Sequence, residues 1–187
     1  MRSLSPPATK LSRAILAVIG LSGSAHAIEY DFQQASSVLS VKGELPPLPS
    51  GVTDLKFREF FKSPIGQRGL EPTKKLLELN GKPVRLIGYM AKQEQPPAGV
   101  FILALTPIFM GDEDEVFADD LLPTSVYVHL GTSQTTVPFI PGLIHLTGVL
   151  NVGSQVEEDG RISSVRLMLD PALTNELTNS QQRYARK

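Results

Sequence analysis

The strongest constraint on the fold is a change of hydrophobic period after Gly81. From there on, apolar and polar side chains alternate in short runs, which is the pattern of half-buried β-strands. Five runs carry it: Pro83 to Met90, Val100 to Thr106, Ser125 to Leu130, Ile144 to Asn151 and Ile162 to Leu169. Between the last two, Glu157-Glu158-Asp159-Gly160 predicts a hairpin turn. The sequence therefore predicts a meander of short antiparallel strands.

Two interior glycines narrow the architecture. Gly88 and Gly148 occupy similar places in the first and fourth predicted strands. Glycine at such positions suits the sharp coiling of a small closed sheet. We therefore predict a mainly β (α+β) fold, a five-stranded antiparallel OB-like barrel preceded by one or two short helices.

The segments around the strands divide the chain further. Residues 28–52 are rich in proline and glycine, which predicts an extended lead-in outside the core. A short helix is expected from Leu55 to Phe61 with Asp54 as its cap, and a second from Thr73 to Leu79. The β domain then covers residues 53–170. Asp170 and Pro171 start a polar C-terminal helix or tail, residues 171–187.

The first 27 residues have the composition of a cleavable secretory signal. Arg2, Lys10 and Arg13 precede the apolar run Ala14–Leu21, and Ala25-His26-Ala27 follows as a small-residue cleavage pattern. The apolar run is shorter than the roughly 20 residues that a membrane-spanning helix needs. We expect an exported, periplasmic or secreted protein that meets the membrane only during export.

Composition excludes several classes of function. The chain has no cysteine, so disulfides, thiolate metal sites and cysteine nucleophiles are excluded. Without the three basic residues of the signal, 15 basic residues face 19 acidic ones, a net charge of −4. A nonspecific nucleic-acid binder needs a basic surface instead. We expect no nucleic-acid partner.

The acids concentrate in one connection, residues 112–120. Asp112, Asp114 and Asp120 offer carboxylate oxygens of the kind that calcium prefers. The spacing departs from that of an EF-hand, because Phe117 stands where the loop needs glycine. A solvated loop is the simpler interpretation, and a calcium site is the alternative.

Alternation also sorts the two faces of the predicted sheet. The outward face carries polar and aromatic side chains that suit ligand contacts: Arg85, Tyr89, Tyr127, His129, His145 and Arg166. One face of an OB-like barrel commonly binds an oligomeric ligand through stacking and cationic contacts. An ordinary solvated face is the competing interpretation.

The sequence gives little support to an enzyme. After the signal, His129 and His145 are the remaining histidines, and no nucleophile elbow, zinc-helix motif or phosphate loop is present. If these two histidines lie on neighbouring strands, they and one acid could supply the three protein ligands that a catalytic zinc site needs. A metal-dependent hydrolase is therefore the third hypothesis.

Residues 70–170 resemble a group of small exported bacterial proteins of unknown function with an OB-like β domain. The resemblance is carried by the segments 79–90, 100–105 and 124–128. Members of that group usually carry a cysteine, histidine and proline cluster between the second and third strands. This chain has Phe109 to Pro123 there without a cysteine, so no catalytic role is carried over.

Together these observations predict a soluble periplasmic binding or accessory module. We expect no cofactor other than calcium at the acidic connection. Its expected partner is an envelope protein, a peptide or a glycan. The resemblance implies that the protein acts together with a transport or assembly system of the cell envelope. This expectation is an analogy at the level of the fold.

Overall fold

A computed structural model describes residues 39–67, 69–110, 123–131 and 135–185, with the side chains of the last helix described as far as Thr178. The predicted secretory signal, residues 1–27, lies outside the described residues. So does the acidic connection with Asp112, Asp114 and Asp120, so the calcium hypothesis stays a prediction.

The chain is mainly β, with few helices. Its strands are β1 (Thr53–Asp54), β2 (Pro83–Met90), β3 (Lys92–Gln93), β4 (Val100–Ala104), β5 (Phe109–Met110), β6 (Val126–His129), β7 (Leu143–Val156) and β8 (Ile162–Leu169). A 3-10 helix covers Phe57–Glu59, and the α-helices are α1 (Lys74–Glu78) and α2 (Pro171–Ala185). All five predicted strands are present, and the bounds of β2 and β8 are those predicted.

Six strands form the main sheet, in the order β1-β2-β4-β6-β8-β7, and β2 also pairs with β7. The expectation of a wholly antiparallel meander is wrong at two places. β6 and β8 pair in parallel, with Val126 opposite Val165, and the short β1 runs parallel to β2. Period-two alternation reports which face a side chain takes, but it carries no information on the direction of a neighbouring strand.

Both interior glycines stand where a strand changes partner. β2 pairs with β7 as far as Tyr89 and with β4 at Tyr89 and Met90, so Gly88 lies beside the change. A Cβ at Gly88 would lie 2.6 Å from the carbonyl oxygen of Ala104. Gly148 is shared between β2 and β8, and a Cβ there would meet the carbonyl of Met168. Each glycine lets two backbones approach more closely than a side chain allows.

The helices begin where turn chemistry predicts, with one exception. The Thr73 hydroxyl accepts a hydrogen bond from Leu76 N at 3.1 Å and caps α1. Asp170 Oδ1 accepts from Ala172 N at 2.8 Å at the start of α2. The first predicted helix shortens to the 3-10 turn, and Asp54 does not cap it because Asp54 lies in β1 and binds Arg85.

The core lies between the inner faces of the sheet strands and is closed by residues outside them. Leu86, Val128, Leu146 and Leu167 are fully buried there, as the alternation predicts. Leu39 is also buried, so the expectation that the lead-in, residues 28–52, lies outside the core is wrong at this residue. A second, smaller cluster lies under the two-stranded β3–β5 sheet and contains Ala91, Ile102, Met110 and Tyr127.

The hairpin of β7 and β8 closes through the predicted turn. Gly160 N donates to Glu157 O at 3.0 Å, and Gly160 has φ +79°, a conformation that glycine adopts without strain. A β-bulge between Val152 and Gln155 shifts the register of β7 before the turn. The bulge and the turn set the direction in which Glu157 points.

Candidate functional site

A cleft with an empty volume of about 590 Å³ lies over β4 and β6 and opens to solvent. The segment 93–99 borders it on one side, and the turn Glu157–Asp159 borders it on the other. This volume includes the open mouth of the cleft, so the enclosed part suits a small group, such as a side chain of a partner, better than a large ligand.

Glu157 is the buried acid of this cleft. Its side chain is 5% exposed, and its carboxylate Oε1 accepts a short hydrogen bond from the Ser163 hydroxyl. Its backbone N–H donates to Arg161 O at 2.8 Å, which fixes the residue at the start of the turn. Burial of a carboxylate costs free energy unless hydrogen bonds or a counterion compensate for it.

His129 faces Glu157 from the end of β6. Its Nε2 lies 3.2 Å from Glu157 Oε2, and its side chain is 26% exposed. This contact is not a hydrogen bond, and Nε2 is a buried atom that has no hydrogen-bond partner in the part of the chain that the structure describes. A ligand that enters the cleft therefore meets a buried ring nitrogen and a buried carboxylate side by side.

Gln93 contributes a second unsatisfied atom to the same cleft. It stands in β3, which pairs with β5 through Gln93 and Met110. Its side-chain Oε1 is buried and has no hydrogen-bond partner among the described residues. Buried polar atoms in native proteins are almost always hydrogen-bonded, so two exceptions in one cleft mark it as a place where polar partners other than the described residues can bind.

Tyr127 forms the wall between these groups. Its hydroxyl donates to Asp159 Oδ2 at 3.4 Å, and Asp159 pairs with Arg161 at 3.2 Å. Burial, together with the negative charge of Asp159, raises the pKa of Tyr127 far above its usual value. Tyr127 thus offers a neutral ring and a committed hydroxyl over the whole physiological range.

Arg85 lies elsewhere and has a complete set of partners. Its Nε and Nη2 donate to Asp54 at 2.7 and 2.9 Å, and its Nη1 donates to Pro46 O at 2.6 Å. The residue is 6% exposed, although alternation placed it on the outward face as a candidate ligand contact. The sequence prediction missed this because Asp54 stands 31 residues away in the chain.

The other predicted binding residues divide between these two places. Arg166 lies opposite Tyr127 in the β6–β8 pairing, and its Nη1 donates to Gly153 O at 2.7 Å and to the Ser163 hydroxyl at 2.8 Å. Tyr89 and His145 are half-buried on β2 and β7. The structure therefore places Tyr127 and His129 in the lining of the cleft with Arg166 on the neighbouring strand, whereas Arg85, Tyr89 and His145 do not line it.

The zinc site of the third hypothesis requires His129 and His145 on neighbouring strands, and the strand order does not place them there. His129 and His145 do not lie on neighbouring strands, because β8 runs between β6 and β7. Within the described ranges, no group of three histidines or acids stands close enough to hold a metal ion.

Sequence reasoning missed Glu157 and Gln93. Glu157 reads as one of four turn residues, whose usual environment is solvent. Gln93 lies in a proline-rich connection without a clear period. Neither has a local signal, since the cleft forms only when segments more than 60 residues apart in the chain pair through the sheet.

Comparisons of the chain with protein-family models, with curated proteins and with solved structures found no match. In the described part of the chain, no helix has the length and apolar character required to cross a membrane.

Proposed function

We propose that this chain is a soluble periplasmic binding or accessory module of OB-like architecture that acts on an envelope partner through the cleft at His129 and Glu157. It binds its partner and performs no chemistry of its own. The observation that carries the proposal is a pair of buried polar atoms, His129 Nε2 and Gln93 Oε1, which have no hydrogen-bond partner among the described residues and lie in one cleft that opens to solvent.

The strand pairings support the OB-like part of the proposal. β2 pairs with β4, β4 with β6, β6 with β8, β8 with β7, and β7 again with β2. In an OB-fold, the second and third strands and the connections L12 and L45 bind oligomeric ligands. The corresponding parts here are β4, β6, the segment 91–99 and the turn 157–161, and these border the cleft.

The predicted secretory signal supports the compartment. A binding module outside the cytoplasm meets glycans, peptides and other envelope proteins more often than nucleic acid. The resemblance to small exported bacterial proteins suggests the context: we expect the protein to act together with a transport or assembly system of the envelope.

Two measurements test the proposal. Fractionation of cells that express the tagged full-length chain gives its compartment, and we expect a shortened form in the periplasm or medium. A full-length protein that stays in the cytoplasm would contradict the export.

The binding test uses amide chemical shifts of the purified protein, titrated with soluble peptidoglycan fragments and with a library of blocked tripeptides. We expect at least one class to shift the amides of Val100, His129 and Glu158, which border the cleft, while those of Arg85 and Ile87 on the opposite side stay unchanged. Shifts confined to the Arg85 side would refute this choice of site.

A further inference from the structure

Two charged side chains are buried in the described ranges, and they differ in their counterions. Arg85 has the carboxylate of Asp54 at 2.7 Å as a permanent partner. Glu157 has the Ser163 hydroxyl and the His129 ring, and the Arg166 guanidinium bonds to the same hydroxyl instead of to the carboxylate. Glu157 is therefore a buried carboxylate without a directly paired lysine or arginine among the described residues, and burial of such a group costs free energy.

The other polar groups of the cleft are also mainly hydrogen-bond acceptors, which would bind a ligand that carries donors. Glu158 and Asp159 follow Glu157 along the same border. The nearby cation Arg161 is committed to Asp159 at 3.2 Å. Across the cleft, the unsatisfied Oε1 of Gln93 is another acceptor. The cleft thus offers acceptors and negative charge to a ligand that carries several N–H donors.

The walls of the cleft are apolar. Pro97, Val100 and Ile102 line it together with the neutral ring of Tyr127. Lysine and arginine side chains combine an aliphatic stem with a charged head, and they bury the stem against apolar surface when the head finds a carboxylate.

From these observations we propose that the cleft binds an alkylammonium or guanidinium group on an aliphatic stem, with the Glu157 carboxylate as its counterion. The inference rests on the proposed function, since it names the ligand chemistry of the same cleft. The expected source is a lysine or arginine side chain of a partner polypeptide. A free diamine has the same ammonium group on an aliphatic stem, and the experiment distinguishes a free diamine from a lysine or arginine side chain.

The cations near Glu157 have acceptors of their own. Arg161 pairs with Asp159 at 3.2 Å. Arg166 Nη1 donates to Gly153 O at 2.7 Å and to the Ser163 hydroxyl at 2.8 Å. Among the described residues, no lysine or arginine forms an ion pair with the Glu157 carboxylate, and the His129 ring lies 3.2 Å from its Oε2.

The experiment titrates the purified protein with four blocked tripeptides, acetyl-Gly-Xaa-Gly-amide, with lysine, arginine, glutamine or glutamate at the centre, and with cadaverine. Amide shifts of Val100, His129 and Glu158 report the cleft. We expect the lysine and arginine peptides to bind about tenfold more tightly than the glutamine peptide, and the glutamate peptide to bind least. Cadaverine that binds more tightly than both peptides would overturn the polypeptide source.

The variants separate charge from shape. In Glu157→Gln the advantage of the lysine peptide over the glutamine peptide disappears. Glu158→Gln, at the rim, keeps Glu157 in place and reduces the advantage about twofold. The matched control Glu78→Gln, exposed on α1, leaves it unchanged.

A fifth peptide keeps the test independent of the folding of any Glu157 variant. A lysine peptide acetylated on Nζ keeps the aliphatic stem and loses the charge, and it should bind the parent protein as weakly as the glutamine peptide does. If a glutamine peptide or an uncharged glycan binds the cleft as tightly as the lysine peptide, the cationic inference is wrong while the binding function stands. If no probe shifts the cleft amides, both fall.

Discussion

The outer surface of the sheet carries two buried charged clusters that differ in their hydrogen bonding. At the Arg85 cluster, each of the three guanidinium nitrogens donates a hydrogen bond to Asp54 or Pro46. At the Glu157 cluster, His129 Nε2 and Glu157 Oε2 stand 3.2 Å apart without a hydrogen bond. A saturated cluster stabilises the fold, whereas an unsaturated one keeps capacity for a ligand.

The comparison also explains why a larger groove beside Arg85 is the weaker candidate. That groove has an empty volume of about 920 Å³ and is lined by Asp54, Phe57, Arg85 and Leu105. Its central charged group is already bound within the chain. Volume alone therefore does not identify a site, and unsatisfied polar groups give the better criterion.

The largest expected effect is the loss of the Arg85 cluster. Arg85→Met removes three hydrogen bonds and should lower the free energy of unfolding by about 2–3 kcal/mol, discounted because Asp54 is half exposed. Urea denaturation measures it. The control Arg58→Met, exposed on the 3-10 helix, should change stability by less than about 0.5 kcal/mol. Equal effects of the two variants would remove the distinction between the clusters.

A smaller effect of opposite sign is expected at the other cluster. Glu157→Gln keeps an acceptor for the Ser163 hydroxyl and replaces a buried carboxylate by a neutral amide. Stability should stay the same or rise by up to about 1 kcal/mol, since an amide costs less to bury. Thermal and urea denaturation of the ligand-free protein check this. A loss comparable to that of Arg85→Met would make Glu157 a structural residue.

Acid should act on the Arg85 cluster in a defined range. The hydrogen bonds from Arg85 lower the pKa of Asp54, so the native state favours the carboxylate. The resulting stability is present above the usual range of aspartate and is lost as the pH falls through the lowered pKa. Asp54→Asn should remove this part of the acid dependence, less than about 1 kcal/mol for a half-exposed group. An unchanged acid profile would contradict the pairing.

The smallest effect concerns Tyr127 in the wall of the cleft. Because burial and Asp159 raise its pKa, Tyr127 should stay protonated while an exposed tyrosine ionises near 10.0. Its contribution to stability is present below that value and is lost as the pH rises toward the raised pKa. Tyr127→Phe should therefore leave the tyrosinate absorbance near the usual pKa unchanged. A decrease by one tyrosine equivalent would show that the ring is solvated.

Local patterns predicted the strands well because burial of one sheet face imposes alternation. β2 and β8 have the predicted bounds, and the turn Glu157–Gly160 closes the predicted hairpin. The pairing of β6 with β8 was missed, since strand direction depends on the path of the chain between strands. Arg85 and Tyr127 were assigned to the outward face, and alternation does not report that residues distant in the chain bury them there. Asp54 and Pro46 bind Arg85, and Met110 and Ile102 pack with Tyr127.

The candidate site was predicted only in part. His129 and Tyr127 came from the face assignment, but the acid opposite them and Gln93 did not. An acidic turn and a proline-rich connection have the same composition whether they face solvent or each other. Their meeting depends on the pairings of β4, β6 and β7, which are contacts distant in sequence.

The pairing of β2 with β7 links ligand binding in the cleft to the folding of the sheet. It joins Pro83 to Val149 and Gly88 to Ile144, residues separated by more than 50 positions, and such non-local contacts form late and slowly in folding. The cleft borders include the turn that follows β7, so they are assembled only when these contacts exist. A ligand of the cleft therefore binds the finished sheet and not its precursors, and by mass action it raises the population of correctly closed molecules.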